Sequence, residues 1–169
     1  TATVIIISSL DDLFFDLVYW VRVTHRWFVF RHKYKTLEAE ALFVPAQKPF
    51  AVMVPAWQES DVIAHMVNNT LRTFDYDNYQ IFIGCYKNDP ATQAEADKLA
   101  EQYPQVHKVV VPHDGPTCKA DCLNWLIQGV KLQEKKQGED FAGIVMHDAE
   151  DVVHRLELRL FNHLVDRKD

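Results

Sequence analysis

Between residues 50 and 147 the chain repeats one pattern, a short apolar run closed by a breaker and then a longer stretch of helical character. The runs are Phe50–Val54, stopped by Pro55; Gln80–Tyr86, followed by Asn88-Asp89-Pro90; Val106–Val111, stopped by Pro112; and Gly143–His147, which runs into acid. Runs of this length with such boundaries predict strands. Between them, Asp61–Phe74 carries Ile63, Val67, Leu71 and Phe74 at helical spacing, with Ser60 or Asp61 as the expected cap. A second helix, rich in Ala and Glu, follows Pro90 and ends before Pro104. Gly115-Pro116-Thr117 opens a third, with Cys118, Cys122, Leu126, Ile127 and Val130 inward, and Gln133–Asp140 reads as a surface loop. His154–Arg167 predicts a last helix with Leu156, Leu160, Phe161, Leu164 and Val165 on one face. Strands alternating with helices predict an α/β domain whose sheet is mostly parallel and covered by helices.

In such sheets the ligand binds outside the carboxyl ends of the strands. That rule gathers residues 55–60, 86–90, 112–119 and 147–154 at one edge, all carrying polar or charged side chains. The last loop is the most telling. Gly143-Ile144-Val145-Met146 reads as a buried strand leading into Asp148, Glu150 and Asp151. Kept extended, the chain places Asp148 and Glu150 on one face, because side chains two apart in a strand point the same way. Carboxylates so close repel unless a cation lies between them, and Mg2+ or Mn2+ suits oxygen ligands and brings phosphates with it. The same residues also read as a solvated acidic turn capping the next helix.

The other loops fit a nucleoside diphosphate. Lys119 stands in the first turn of a helix, where free N–H groups and the helix dipole favour an anion; alone it reads as a solvated surface lysine. Asp89 can accept from a base N–H or a ribose hydroxyl, or simply cap its helix. Glu59 and the backbone at Ala56-Trp57 can hold a base, with Trp57 as a flat apolar wall; Glu59 also suits a first helical turn. There is no GxGxxG or GxxxxGK[ST] loop and no GxSxG elbow, which counts against dinucleotide-binding, P-loop and α/β-hydrolase enzymes.

With 169 residues and 48% hydrophobic content the chain can build one core, and a formal net charge of -6 argues against a nucleic-acid binder. Cys85, Cys118 and Cys122 contain no CxxC pair, which fits a reducing compartment. Cys118 and Cys122 could share a helix face and bind metal; without a second pair of soft ligands they read better as buried small residues. The start at Thr1 and the stop at Asp169 without a capping glycine are expected of a piece of a longer protein.

Residues 1–44 differ from the rest. Ala2–Ile7 is apolar but short of the ~20 residues a bilayer span needs. Leu10, Leu13, Phe14, Leu17, Val18 and Val21 follow at the spacing of an amphipathic helix, then Trp20, Trp27, Phe28 and Phe30 among Arg22, Arg26, Arg31, Lys33 and Lys35. Aromatics beside a basic run mark the cytoplasmic edge of a membrane, with Ile5–Ile7 as the frayed end of a spanning helix; an ordinary core helix with a basic face is the alternative. No cleavable signal peptide is visible. Pro45–Pro49 is a linker, so the domains expected are a membrane-proximal segment, 1–44, and an α/β unit, 45–169.

The ordered segments Val54-Pro55-Ala56-Trp57-Gln58-Glu59, Asn88-Asp89, Lys119-Ala120-Asp121-Cys122-Leu123-Asn124 and Asp148-Ala149-Glu150-Asp151 resemble the donor half of a family 2 inverting glycosyltransferase of the GT-A fold. The resemblance covers about residues 50–169. It implies a Rossmann-like, incomplete domain in which Pro55, Ala56, Trp57, Glu59 and Asp89 meet the nucleotide. Lys119 and Asn124 would lie by the diphosphate, and Asp148 and Glu150 would bind Mg2+ or Mn2+, Asp148 also touching the donor. The implied donor is a nucleotide-diphosphate sugar, a UDP-sugar first. The implied place is the bacterial inner membrane, catalytic domain facing the cytoplasm, beside an envelope protein of the kind that serves as a phage receptor. Gln58 replaces the usual Asn, Glu150 the second Asp, and Arg155 a Pro before the last helix. The family's Thr-Glu-Asp-like segment with the catalytic base and its Gln-x-x-Arg-Trp-like segment do not occur in this chain, so no base is assigned. Two other readings remain at this point: a metal-dependent phosphohydrolase using His147, Asp148, Asp151 and His154, and a non-catalytic membrane-proximal scaffold.

Overall fold

A computed structural model describes residues 2–33 and 37–167, with side chains for 12–29 and 37–167. The chain divides into two compact units, one ending at Glu38 and one running from Ala39 onward.

The first unit is a single helix, α1 (Ala2–Lys33). Leu13, Phe14, Phe15, Leu17, Tyr19, Trp20 and Val21 are each about 60% exposed. Neighbours in a helix are turned by about a third of a revolution, so Leu13, Phe14, Leu17, Val18 and Val21 fall along one side of α1 while Phe15 and Tyr19 turn away from it, and the side chain of Leu10 falls outside the described residues. Among the described residues no helix is long and apolar enough to cross a membrane. Ile5–Ile7 lie within α1, but their side chains, with those of Phe30, Arg31 and Lys33, fall outside the described residues, as does Lys35.

The second unit holds the predicted sheet. Its strands, β1 (Phe50–Ala56), β2 (Tyr79–Tyr86), β3 (Val106–Val111) and β4 (Gly143–Met146), are all parallel in the order β3-β2-β1-β4. Helices cover both faces of β1, which is why Phe50 through Val54 are all buried rather than alternating. One face packs Val52, Val54, Ile81 and Ile83 against α2 (Ile63–Thr73), α3 (Pro90–Gln102) and α5 (Glu157–Asp166), through Ile63, Val67, Ala96, Leu99 and Leu158. The other packs Ala51, Met53 and Phe82 against α4 (Lys119–Gln137), through Cys122, Leu126 and Val130.

Several expectations are corrected. β4 stands at an edge and is not fully buried: Val145 joins the core, while Ile144 and Met146, on the α4 side, are 48% and 49% exposed. Neither Ser60 nor Asp61 caps α2; the carbonyl of Glu59 accepts the N–H groups of Val62 and Ile63 instead. The stretch read as a loop after Leu132 is helical through Gln137, and the helix ends at Gly138 with φ +75, the left-handed cap glycine suits best. Cys118 is the exposed residue before α4, so it does not share the buried face of Cys122. In α5 the inward stripe is Leu158, Phe161, Asn162 and Val165; Leu160 and Leu164 face out. Asn162 is inward because its amide donates to Ala46 O (2.9 Å) and accepts from Lys48 N–H (3.1 Å), tying the linker to the domain.

Candidate functional site

The crossover from β3 through α4 to β4, on the far side of β1, opens a crevice at the strand ends, where α/β sheets bind ligands. A cleft of about 270 Å³ lies there. The end of β1 and its loop supply Pro55, Ala56, Trp57 and Glu59; the start of α4 supplies Lys119; the loop after β4 supplies Asp148 and Glu150. Seven of the residues expected from sequence therefore meet in one place. Tyr86, Pro116 and Thr117, which belong to the loops expected at this edge but were not singled out, also line it, as does Cys122. Only their position, at the end of β2 and the opening of α4, could have pointed to them.

Asp89 and Asn124 are not among the lining residues. Asn124 is exposed on α4. Asp89 is 5% exposed and both its carboxylate oxygens accept backbone N–H groups: Thr92 at 3.2 Å, as the cap of α3, and Gln58 at 2.6 Å. Gln58 has φ +56, uncommon for a residue with a side chain, and the charged acceptor helps to hold it there. Glu59 N–H donates to Thr92 Oγ1 at 3.1 Å, so the β1 loop is bolted to the head of α3.

Trp57 and Tyr86 meet edge to face, 5.2 Å between ring centroids, and form an aromatic wall. Gly115 packs on both; a Cβ there would come within 2.8 Å of each ring. Tyr86 Oη lies 2.6 Å from Thr117 Oγ1, which donates to Asp121 Oδ2 at 2.8 Å, and burial raises the phenol above its usual range.

The charged groups face this wall. Burial raises the Glu59 carboxyl, with the charges of Asp148 and Glu150 acting the same way, against a backbone hydrogen bond at Trp57 and the charge of Lys119. Its Oε2 is buried without a hydrogen-bond partner. Lys119 is ion-paired with Asp148. The chain leaves the sheet after Met146 and turns: Asp151 N–H donates to Asp148 O (3.0 Å) and Asp148 N–H to Asp151 Oδ2 (2.7 Å). The shared face of Asp148 and Glu150 thus comes from a turn, not from the extended chain the spacing suggested. Glu150 also borders a second groove, of about 510 Å³, beside Asp61, His65 and Asn69 of the α2 end.

The phosphohydrolase cluster is not assembled. His147 is buried with Nε2 2.9 Å from Glu157 Oε1, an approach too oblique for a hydrogen bond, and His154 Nδ1 accepts from Leu156 N–H at 3.2 Å. Among the described residues no group of three or more His, Cys, Asp or Glu converges to hold a metal. Two carboxylates with an orphaned third nearby do fit a hard divalent ion that completes its shell with phosphate and water.

A parallel sheet of this order, with its cleft at the strand ends, is common to doubly wound α/β proteins, and here it is part of a GT-A glycosyltransferase fold. A mannosyltransferase from Pyrobaculum calidifontis, solved in complex with GDP-Man and Mn2+, matches 88% of this chain and 39% of its own with a TM-score of 0.60; at 18% identity the likeness is one of fold. The chain belongs to glycosyltransferase-like family 2, whose model matches residues 45–169. It is 48% identical over 168 residues, 99% of its length, to bacteriophage adsorption protein B of Escherichia coli (strain K12), and equally to bacteriophage N4 adsorption protein B of Escherichia coli O157:H7. The chain spans 23% of the length of those relatives.

Proposed function

We propose that residues 45–169 form the donor-binding half of a membrane-associated, divalent-metal-dependent glycosyltransferase that moves a sugar from a nucleotide-diphosphate donor to an acceptor hydroxyl with inversion. The carrying observation is the meeting of Glu59, Lys119, Asp148 and Glu150 in one cleft walled by Trp57 and Tyr86. The aromatic wall suits a base and the start of α4 a diphosphate. Asp148 and Glu150 would hold Mg2+ or Mn2+, which when bound neutralises the leaving diphosphate. Lys119 places a mobile positive charge beside the same oxygens. Asp89 serves the nucleotide indirectly, by setting the Gln58-Glu59 turn. We assign Asn124 to the diphosphate side on the family resemblance, and the acceptor-side base to sequence outside these residues. A scaffold would have no use for the buried, unpartnered Glu59 oxygen.

Residues 1–44 are proposed as the membrane-proximal segment. The apolar belt of α1 beside Arg22 and Arg26 supports seating at a bilayer surface. We place the protein in the bacterial inner membrane with this domain towards the cytoplasm, and the names of its relatives support an envelope-protein partner. Calorimetry with UDP and GDP, with and without Mn2+, tests the reading. Nucleotide binding that Mn2+ strengthens is expected, with UDP the tighter and the gain from the metal lost in Asp148→Ala. Equal binding with and without Mn2+ refutes metal dependence.

A further inference from the structure

Lys119 and Asp148 pair with each other across the cleft, their side chains 44% and 50% exposed. Under the reading above they have different tasks, Lys119 for the diphosphate and Asp148 for the metal, and the inference rests on that reading. The pair sits where it can act. Lys119 opens α4, and the N–H of Asp148 is held by Asp151, so both ends stand on ordered backbone. Glu59 feels Lys119, Asp148 and Glu150 together, so one ammonium serves three carboxylates around the same space.

A divalent cation arriving alone meets an Asp148 already neutralised and an ammonium that repels it. A diphosphate arriving alone meets a lysine already engaged and the uncompensated charges of Glu59 and Glu150. When both arrive, the partners exchange: the cation takes the carboxylates and the ammonium turns to phosphate oxygen. We propose that the Lys119–Asp148 pair is an internal latch that makes metal and nucleoside-diphosphate binding mutually dependent. Each ligand opens the latch on behalf of the other, and the coupling is reciprocal by linkage. The latch also disfavours loading of the bare metal.

The test uses the intact 169-residue chain, with Mn2+ binding followed by water-proton relaxation and UDP and GDP binding by calorimetry. In the wild type each ligand should tighten the other about tenfold or more. Lys119→Met should bind Mn2+ alone up to about fivefold more tightly, the worth of an exposed ion pair, and lose the same factor from the coupling. Asp148→Asn supplies the mirror test: without metal it should bind the nucleoside diphosphate up to about fivefold more tightly than the wild type, although it removes a metal ligand. Unchanged or weaker Mn2+ affinity in Lys119→Met, or no gain in metal-free nucleotide binding in Asp148→Asn, overturns the latch while the wild-type binding still upholds the donor site. A wild type that binds neither ligand overturns the donor reading and the latch with it. Both side chains are about half exposed, and melting curves confirm that each variant folds.

Discussion

The side-chain amide of Asn88 grips the backbone of Gly115 at both of its groups: Nδ2–H donates to Gly115 O at 2.7 Å and Oδ1 accepts Gly115 N–H at 2.8 Å. A residue after β2 thereby sets the loop that leads into α4, and with it the place of Thr117 and Lys119. Asn88→Ala should cost about 1–2 kcal/mol of stability in chemical denaturation, two hydrogen bonds to partly solvated backbone. UDP affinity should fall about fivefold as the loop loses its setting. A loss of stability with unaltered affinity would detach the loop from the cleft.

Gly115 is the other half of this arrangement. A Cβ there meets Trp57 Cζ3 and Tyr86 Cδ1, both at 2.8 Å, and neither ring is a loose chain end. Gly115→Ala should destabilise by about 1–3 kcal/mol, as overpacking does, and should alter the near-ultraviolet dichroism of the aromatic pair. An unaltered aromatic signal would mean that the loop moves and the wall does not.

Asp89 tests how far the cleft depends on residues outside it. Asp89→Ala removes the α3 cap and strands the Gln58 N–H, an expected loss of about 2–4 kcal/mol. Asp89→Asn keeps one of the two acceptor oxygens and turns an NH2 donor to the other N–H, so it should recover less than half. Urea denaturation of the two variants measures both values; full recovery in Asp89→Asn would show that one acceptor is enough to hold the turn.

Glu59 makes stability depend on pH. Its carboxyl is raised above the ordinary 4.5, first by burial and then by Asp148 and Glu150. The native state therefore holds this proton more tightly than the unfolded chain, and the stability it confers is full below 4.5 and lost as pH rises through the folded value. Glu59→Gln removes the charge and keeps the shape. It should melt higher than the wild type near neutral pH, with the difference closing in acid. A difference that persists in acid would reject burial of the charge as its cause.

The sheet was legible because proline, glycine and Asn-Asp-Pro close each apolar run, and a parallel order follows once helices separate the strands. The seven residues that meet in the cleft were legible through the same rule about strand ends. Where reading failed, tertiary contacts decided. Asn162 has no place in the apolar face read for the last helix, because its backbone partners at Ala46 and Lys48 lie far away in sequence. Asp89 suits a ligand or a cap equally from its sequence, and the distant N–H of Gln58 that it also accepts carries no local signal. Tyr86 and Thr117 carry no motif; they matter because the end of β2 and the loop before α4 bring their hydroxyls within 2.6 Å. The segment 133–137 read as loop from its charge, although Gln, Glu and Lys are good helix formers.

The acidic turn leaves the sheet from β4, a strand of four residues with β1 as its one partner among the described residues. Asp148 and Glu150 are thus cantilevered: Glu59 rests on the doubly flanked central strand, whereas the carboxylate pair is braced from a single side. The open flank of β4, with Ile144 and Met146 uncovered, is a free row of backbone donors and acceptors. Any further strand that pairs there would stiffen the carboxylates without touching them.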